Sequence, residues 1–394
     1  MSGSGRLQVA PPGFAEPAYP PDEWRGTDLH RRMMRVYDPA FGGFWRRYRA
    51  RYFDRFRLFK LRTIFMRMRF PFRLLNFLLY LVEKDRVANV HYAPVMLHLD
   101  PTNACNLRCP GCTTGDRTAG RRPDGRADLE LMIRRIDEFY RWGIQLQLVH
   151  WGEPLLNPAF FPACAHATSR GLWTVTHTNL SFKIEGLAQR LVDTGLCNLV
   201  VSCDGATQET YEKYRVGGRV ELVFDNLSAI AREKRRIGSR RPWITAKFVV
   251  FDHNWHEMEQ FRERALEAGA DEAIFIGGLT DGIYRTGRAS SERQFDLPTL
   301  SWARRRMEPG CFEIWQGMSV NSDGSAYPCC DGFREDHEFV TAEEAGRTDW
   351  RPQWNNEKYL QIREYFIKRE LRGRAQLPHP CHTCERTGRE HLES

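Results

Sequence analysis

An α/β fold built on parallel strands is what this 394-residue sequence predicts. Three observations predict it. Short apolar runs of strand character alternate strictly with segments of helical period between residues 95 and 277. Six strands are legible, and each but the last is followed by a helix. The polar and cysteine-rich motifs fall where strands end. Strict alternation implies parallel strands joined by right-handed crossovers, with chemistry at the strands' C-terminal ends. Six units are too few for a closed eight-stranded barrel.

The elements follow in order. Residues 1–30, with Pro-Pro at 11–12 and 20–21, read as a flexible arm. Residues 31–93 read as a basic, aromatic helical segment, broken near Pro39–Gly43 and at Pro71. The first strand, Val95–Asp100, runs into a cysteine loop. A helix over Asp128–Trp142 carries Leu129, Met132, Ile133, Ile136, Phe139 and Tyr140 at helical spacing. Strand Leu146–Trp151 and helix Pro158–Arg170 come next, then strand Trp173–Asn179 and a helix near Ile184–Thr194. Strand Leu199–Cys203 precedes helical segments in Thr207–Arg236, interrupted at Gly217-Gly218. Thr245–Phe251, helix Glu257–Ala268 and strand Ala273–Gly277 complete the series. After about residue 285 the alternation stops, and a loop-rich, Cys-containing section runs on.

Composition narrows the class. Hydrophobic content of 42% and charged content of 27% describe a folded soluble protein. Residues 1–30 lack an export signal's apolar core, and Leu74–Val82, interrupted by Asn76, is far short of the ~20 residues needed to span a bilayer. Seven of eleven cysteines fall in tight ligand-like groups, which fits a reducing cytoplasm better than a disulfide scaffold. The net charge of +8 is uneven: Arg31 to Arg73 holds fourteen Lys/Arg against Asp38 and Asp54. Phe44, Trp45, Tyr48, Phe53, Phe56 and other aromatics are interleaved there. Such a segment suits an anionic membrane surface, making a peripheral contact at the inner membrane through 31–90, or an anionic or lipid-linked substrate. It equally suits helices whose aromatic side packs on the barrel; nucleic acid is not the expected partner.

Cys105, Cys109 and Cys112 stand in Asp100-Pro-Thr-Asn-Ala-Cys-Asn-Leu-Arg-Cys-Pro-Gly-Cys112. Three thiolates can hold three corners of a four-iron cube and leave one iron open, whereas structural zinc and electron-transfer clusters want four. The C-x3-C-x2-C spacing and its lead-in resemble the signature of the radical S-adenosylmethionine (radical SAM) enzymes. That resemblance supplies what spacing cannot: an open, partial (β/α)6 TIM-like barrel over residues 94–300, with SAM chelating the fourth iron of a [4Fe-4S] cluster and cleaved to a 5′-deoxyadenosyl radical.

Further motifs extend the likeness. His150-Trp-Gly-Glu-Pro resembles the family's Gly-Gly-Glu-Pro element, implying that Glu153 receives the SAM ammonium and that Gly152 permits close backbone approach. Thr176-His-Thr-Asn179 is similar to its Thr-Asn-Gly, and Ser202-Cys-Asp-Gly to its Ser-x-Asp-Gly, which implies Asn179, Ser202 and Asp204 as cosubstrate contacts. Arg215 could pair with the SAM carboxylate. Each could instead be a strand cap or turn residue. Gly111 stands where the family often has an aromatic residue near the adenine of SAM, a departure that weakens that contact more than SAM binding itself.

The section 301–394 holds Cys311, Cys329-Cys330, and Cys381-His-Thr-Cys384, with Trp354, Tyr359 and Arg363 between. It resembles the SPASM/twitch extension. Five cysteines are too few for two clusters, so one auxiliary [4Fe-4S] cluster on Cys311, Cys329, Cys381 and Cys384 is implied; zinc is the alternative. Cys330 is left as an alternative ligand, a proton or hydrogen donor, or a packing residue. Cys164, Cys197 and Cys203 read as core. His150, His177 and Lys247 are candidate substrate acid, base or anion-binding groups.

Lys247-Phe-Val-Val-Phe-Asp-His-Asn254, with His256-Glu257, resembles SPASM proteins often met beside polysaccharide and cell-envelope genes. The implied substrate is a carbohydrate, a lipid-linked molecule or another anionic small molecule, with a flavodoxin- or ferredoxin-type electron donor. A ribosomally made peptide is the alternative substrate. A non-catalytic iron–sulfur electron-transfer protein is the alternative class.

Overall fold

A computed structural model describes residues 71–117, 123–251, 253–277, 311, 313–329, 332, 334–347, 350–368, 377–378 and 381. The expected arm, the segment 31–70, Cys330 and Cys384 lie outside them. Strands β1 (Met96–Leu99), β2 (Gln145–Gln147), β3 (Trp173–Thr178), β4 (Asn198–Ser202), β5 (Trp243–Val250) and β6 (Glu272–Gly277) correspond to the six expected from the sequence. They lie side by side in chain order, all parallel.

Helix α1 (Pro71–Glu83) precedes the sheet, and α2 (Leu129–Phe139), α3 (Phe160–Ser169), α4 (Leu187–Asp193), α5 (Gln208–Tyr214), α6 (Val220–Arg236) and α7 (Met258–Glu267) are the crossovers. Local chemistry sets their ends. The Asp128 carboxylate caps α2 by accepting from Leu131 N at 2.7 Å, and Thr207 caps α5. Gly217, at φ +83°, breaks the chain between α5 and α6. Met132, Ile136 and Phe139 of α2 are buried as their spacing requires.

The section beyond residue 310 does more than the sequence indicated. After α8 (Glu313–Gln316), β7 (Gly317–Val320) joins the sheet parallel to β1, and β8 (Ala326–Tyr327) turns back antiparallel to β7. Among the described residues the sheet therefore has eight strands in the order β6-β5-β4-β3-β2-β1-β7-β8, and β6 and β8 do not pair to close it. Helices α9 (Ala342–Arg347), α10 (Trp350–Trp354) and α11 (Glu357–Lys368) follow. The buried Arg135 of α2 ties this section to the barrel through the Gly324 and Ala345 carbonyls at 3.3 and 3.1 Å.

The pleat separates two chemistries. Leu97, Leu99, Leu146, Leu199, Val201, Ile244, Ala246, Phe248, Val250, Phe275, Met318 and Val320 belong to the main core beneath the helices. Register places the alternate residues on the other face: His98 beside Gln147 and Ser319, His177 beside Val200, and Ser202 beside Lys247. Trp173, Val175, Cys197 and Val200 form a separate small cluster there. This inner face is largely polar, and its upper end is the site.

Candidate active site

The cysteine loop is fastened on three sides. Arg108 N donates to Val216 O at 3.0 Å, Glu153 N to Ala104 O at 2.9 Å, and Thr114 Oγ1 to Trp151 O at 2.9 Å. Gly152 is required by the second contact, because a Cβ there would lie 1.9 Å from the Thr102 carbonyl oxygen. Gly115 has the same role against the backbone of Cys109, at 2.5 Å.

Donors from the strand ends face the thiols. Asn179 Nδ2 lies 3.8 Å from Cys105 Sγ, and Arg215 Nη1 lies 3.8 Å from Cys109 Sγ. Burial pushes the Cys105 thiol up to about 12 and raises Cys109, whose rise Arg215 opposes. Ionised thiolates here would need positive charge or metal beside them. Among the described residues, no three His, Cys, Asp or Glu side chains converge on a single-ion position. A four-iron cube asks for no such convergence, since each thiolate meets a different iron; three sulfurs on one loop, fronted by N–H donors, fit it.

Glu153 and Asp204 are both held by protein donors. The Glu153 carboxylate accepts from Thr178 Oγ1 and Asn179 N, both at 2.7 Å, and from Leu155 N at 3.3 Å. Burial raises it to about 7, against those three bonds. Asp204 accepts from Arg215 Nε at 2.5 Å and Val249 N at 2.6 Å. It thereby fixes the guanidinium that reaches Cys109. Ser202, Asn179 and Asp204 end adjacent strands on the same side as the cysteine loop.

Deeper on the inner face, burial lowers His98 to about 3, His177 well below its usual range and Lys247 to about 8. Neighbouring positive charge reinforces each shift: His150 acts on His98, Lys247 on His177, and Arg215 on Lys247. Neutral imidazoles are thus present at pH 7. His150 packs on Trp151 and Tyr327, with ring centroids at 5.3 and 6.1 Å.

Sequence reading missed Asp100, His98, Gln147 and Ser319. Asp100 is 2% exposed and accepts from the Trp151 and Thr102 amides, yet its Oδ1 has no partner among the described residues. Burial pushes this carboxyl up to about 8. The Ser319 hydroxyl, opposite His98, is also buried without a partner among them. The alternation in Met96-Leu97-His98-Leu99-Asp100 was the available signal for His98 and Asp100.

The C-terminal cysteines gather separately. Cys311, Cys329 and Cys381 all lie close enough to the buried Tyr359 to raise its phenol, although burial is the larger cause. Arg363 sits between Trp354 and Tyr359, 4.3 and 5.0 Å from their ring centroids, and donates to Ile314 O at 2.9 Å. Cys311, Cys329 and Cys381 thus share one buried aromatic neighbour, and thiols are the donor type suited to iron–sulfur ligation. Cys164, Cys197 and Cys203 are buried core residues.

Comparison with known proteins agrees with this geometry. Residues 99–280 match the model of the radical SAM superfamily, and residues 311–385 that of the SPASM iron–sulfur cluster-binding domain. Mycofactocin maturase MftC of Mycobacterium tuberculosis is 29% identical over 178 residues, 45% of this chain and 43% of that protein. PqqA peptide cyclase of Granulibacter bethesdensis is 23% identical over 322 residues, 74% of this chain and 80% of the other. The chain spans less than half the length of the first curated relatives it matches. Among solved structures, Streptococcus suis SuiB bound to S-adenosylmethionine shares the fold with TM-score 0.57 at 14% identity, covering 74% of this chain and 72% of that one. With its cysteine loop at the strand ends of an open parallel sheet and a second cysteine group beyond residue 310, the chain carries a radical SAM domain over residues 99–280 and a SPASM iron–sulfur cluster-binding domain over residues 311–385.

Proposed function

We propose that this protein is an enzyme that cleaves S-adenosylmethionine at a four-iron cluster on Cys105, Cys109 and Cys112 and takes hydrogen from an unactivated C–H bond of a substrate in the open barrel. The observation that carries this reading is the meeting of the three-thiol loop with Asn179 and Arg215 above a polar inner face. Cluster and SAM, when bound, supply a 5′-deoxyadenosyl radical for that step. The residues of the chain do the rest. Arg215, fixed by Asp204, places positive charge beside Cys109 and the SAM carboxylate. Glu153 holds the end of β3 so that Asn179 fronts Cys105. Ser202 and Asn179 offer hydrogen bonds to the cosubstrate, while His177, His150 and Lys247 face the substrate. Cys311, Cys329, Cys381 and Cys384 hold one auxiliary cluster. A flavodoxin- or ferredoxin-type protein supplies the electron.

For the substrate, the relatives favour a peptide: one is named a maturase and another a peptide cyclase. A second reading, an anionic or hydroxylated small molecule, is favoured by Lys247 and the neutral imidazoles of the inner face. The test is anaerobic reconstitution with dithionite and SAM, reading 5′-deoxyadenosine with each substrate class added. Stimulation by a peptide alone selects the first reading and by a small molecule alone the second. SAM that binds and is never cleaved under strong reductant would refute both in favour of an electron-transfer protein.

A further inference from the structure

Helix α1 buries an unusual share of polar side chains. Its buried residues are Arg73, Asn76, Tyr80 and Glu83 at helical spacing, with Tyr80 in the core and Phe77, Leu79 and Leu81 partly buried against it. Arg73, Asn76 and Glu83 are each matched. The Arg73 guanidinium donates to the carbonyls of Tyr140, Gly171 and Arg170 at 2.7, 2.9 and 2.8 Å. Asn76 donates to Ala93 O and Trp142 O and accepts from Ala93 N. Glu83 accepts from His91 N at 2.7 Å. The opposite face carries Leu74, Leu75, Leu78 and Val82, 44%, 55%, 49% and 62% exposed, flanked by Phe72 at 57%. They account for five of the nine large hydrophobic residues that are exposed among the described residues, and no charged side chain lies among them.

An ordinary surface helix turns the other way, apolar stripe to the core. Here a strong, specific set of hydrogen bonds prevents that rotation, since turning α1 over would strand an arginine, an asparagine and a glutamate in the wrong surroundings. The apolar face is therefore fixed outward. Its location is equally definite. Tyr140 and Trp142 precede β2, Arg170 and Gly171 precede β3, and Ala93 precedes β1. These are the N-terminal ends of the strands, so α1 lies beneath the barrel, at the end opposite the cysteine loop.

We propose that this face of α1 docks on an anionic lipid surface. Charge complementarity selects that occupant. The forty residues before α1 contribute thirteen Lys/Arg and two acids, interleaved with aromatics, and they run directly into the apolar stripe. A basic, aromatic segment followed by an uncharged apolar helix face combines the two attractions that peripheral membrane binding needs, apolar insertion and headgroup charge. Attachment by the strands' N-terminal end leaves the catalytic end directed away from the bilayer. The proposal is independent of the substrate and of SAM chemistry.

The experiment is vesicle flotation of the full chain, with phosphatidylcholine vesicles and with vesicles rich in phosphatidylglycerol. The wild type is expected to float with the anionic vesicles, less so at high salt. Leu75→Glu/Leu78→Glu, two exposed positions, is expected to lower the bound fraction at least about tenfold without altering the melting temperature or the circular dichroism spectrum. Arg46→Glu/Arg47→Glu/Arg49→Glu is expected to weaken binding to anionic vesicles only. Failure of the wild type to float with either vesicle overturns the proposal. Equal flotation of the leucine variant overturns it too, by assigning binding to the basic segment alone. Sedimentation showing a dimer that the leucine variant dissociates, with no flotation, would replace the bilayer with a second copy. Amides of residues 72–82 equally protected from exchange with and without vesicles would show the face covered by the chain itself.

Discussion

The indole N–H of Trp151 donates to the carbonyl of Gly332 at 2.5 Å, while the carbonyl of Trp151 accepts from Thr114 Oγ1 at 2.9 Å. Thr114 is two residues past Cys112, and Gly332 is three past Cys329. One residue of the His150-Trp-Gly-Glu-Pro turn therefore joins the loops of both cysteine groups. Gly332 packs so closely on Tyr327 that a Cβ would lie 2.5 Å from its ring. Displacement of the auxiliary loop would thus be felt at the SAM site.

Trp151→Phe keeps an aromatic ring but deletes the donor and the indole's second ring. It is expected to cost about 1–3 kcal/mol of stability, one hydrogen bond plus lost packing. It should also change the electron paramagnetic resonance signal of the auxiliary centre while iron content stays full. Denaturant unfolding and spectra of the reduced protein check both. Unchanged spectra would show that the bond does not couple the two loops.

Gly152→Ala is expected to be far more damaging than its size suggests. The added methyl meets the Thr102 carbonyl oxygen at 1.9 Å and the Ala104 carbonyl oxygen at 2.6 Å, both backbone atoms. Relief requires the turn to lift off the cysteine loop, breaking the Glu153 N to Ala104 O bond. A loss of about 2–4 kcal/mol, with impaired cluster loading at the first site, should appear in thermal melting and iron analysis. Gly217→Ala, where nothing lies within 4 Å, isolates backbone strain from collision and should cost only about 1 kcal/mol.

The contrast between these glycines marks what the sequence made legible. Six strands, their helices and the motif positions followed from period and spacing, because neighbouring βα units are local. β7 did not, since its partner β1 lies some 220 residues earlier and four residues carry little periodic signal. The engagement of Glu153 and Asp204 by protein donors was also hidden, because it depends on which strand ends meet. α1 was misleading in its own way: Leu74–Val82 reads as an ordinary apolar stretch, and only the carbonyls facing Arg73 and Asn76 decide which side is buried.

Removing ligands should separate the two cysteine groups. Cys105→Ala leaves two thiolates for the first cube, so iron should fall to about half and 5′-deoxyadenosine formation should stop. Cys381→Ala should lose a similar share of iron yet retain slow SAM cleavage, because Cys381 lies beside Tyr359 rather than the SAM loop. Iron quantitation and 5′-deoxyadenosine measured without substrate check this. Loss of cleavage in Cys381→Ala at full first-site occupancy would show that the auxiliary centre is needed for the cut itself.

Asp100 makes a prediction about pH. Its carboxyl titrates near 3.8 when unfolded and near 8 when folded, because burial disfavours the charged form more than the Trp151 and Thr102 amides support it. A folded pKa raised above the unfolded one means that the native state binds the proton more tightly. The resulting stabilisation is complete below about pH 4 and is lost as pH rises toward 8. Asp100→Asn keeps an acceptor for the two amides and cannot ionise. The variant and wild type should therefore melt at similar temperatures near pH 4, and the variant should become progressively the more stable one toward pH 8, by on the order of 2–5 kcal/mol. Anaerobic melting curves across that range measure the divergence. Parallel curves would place the Asp100 Oδ1 against an ionic partner that keeps it charged.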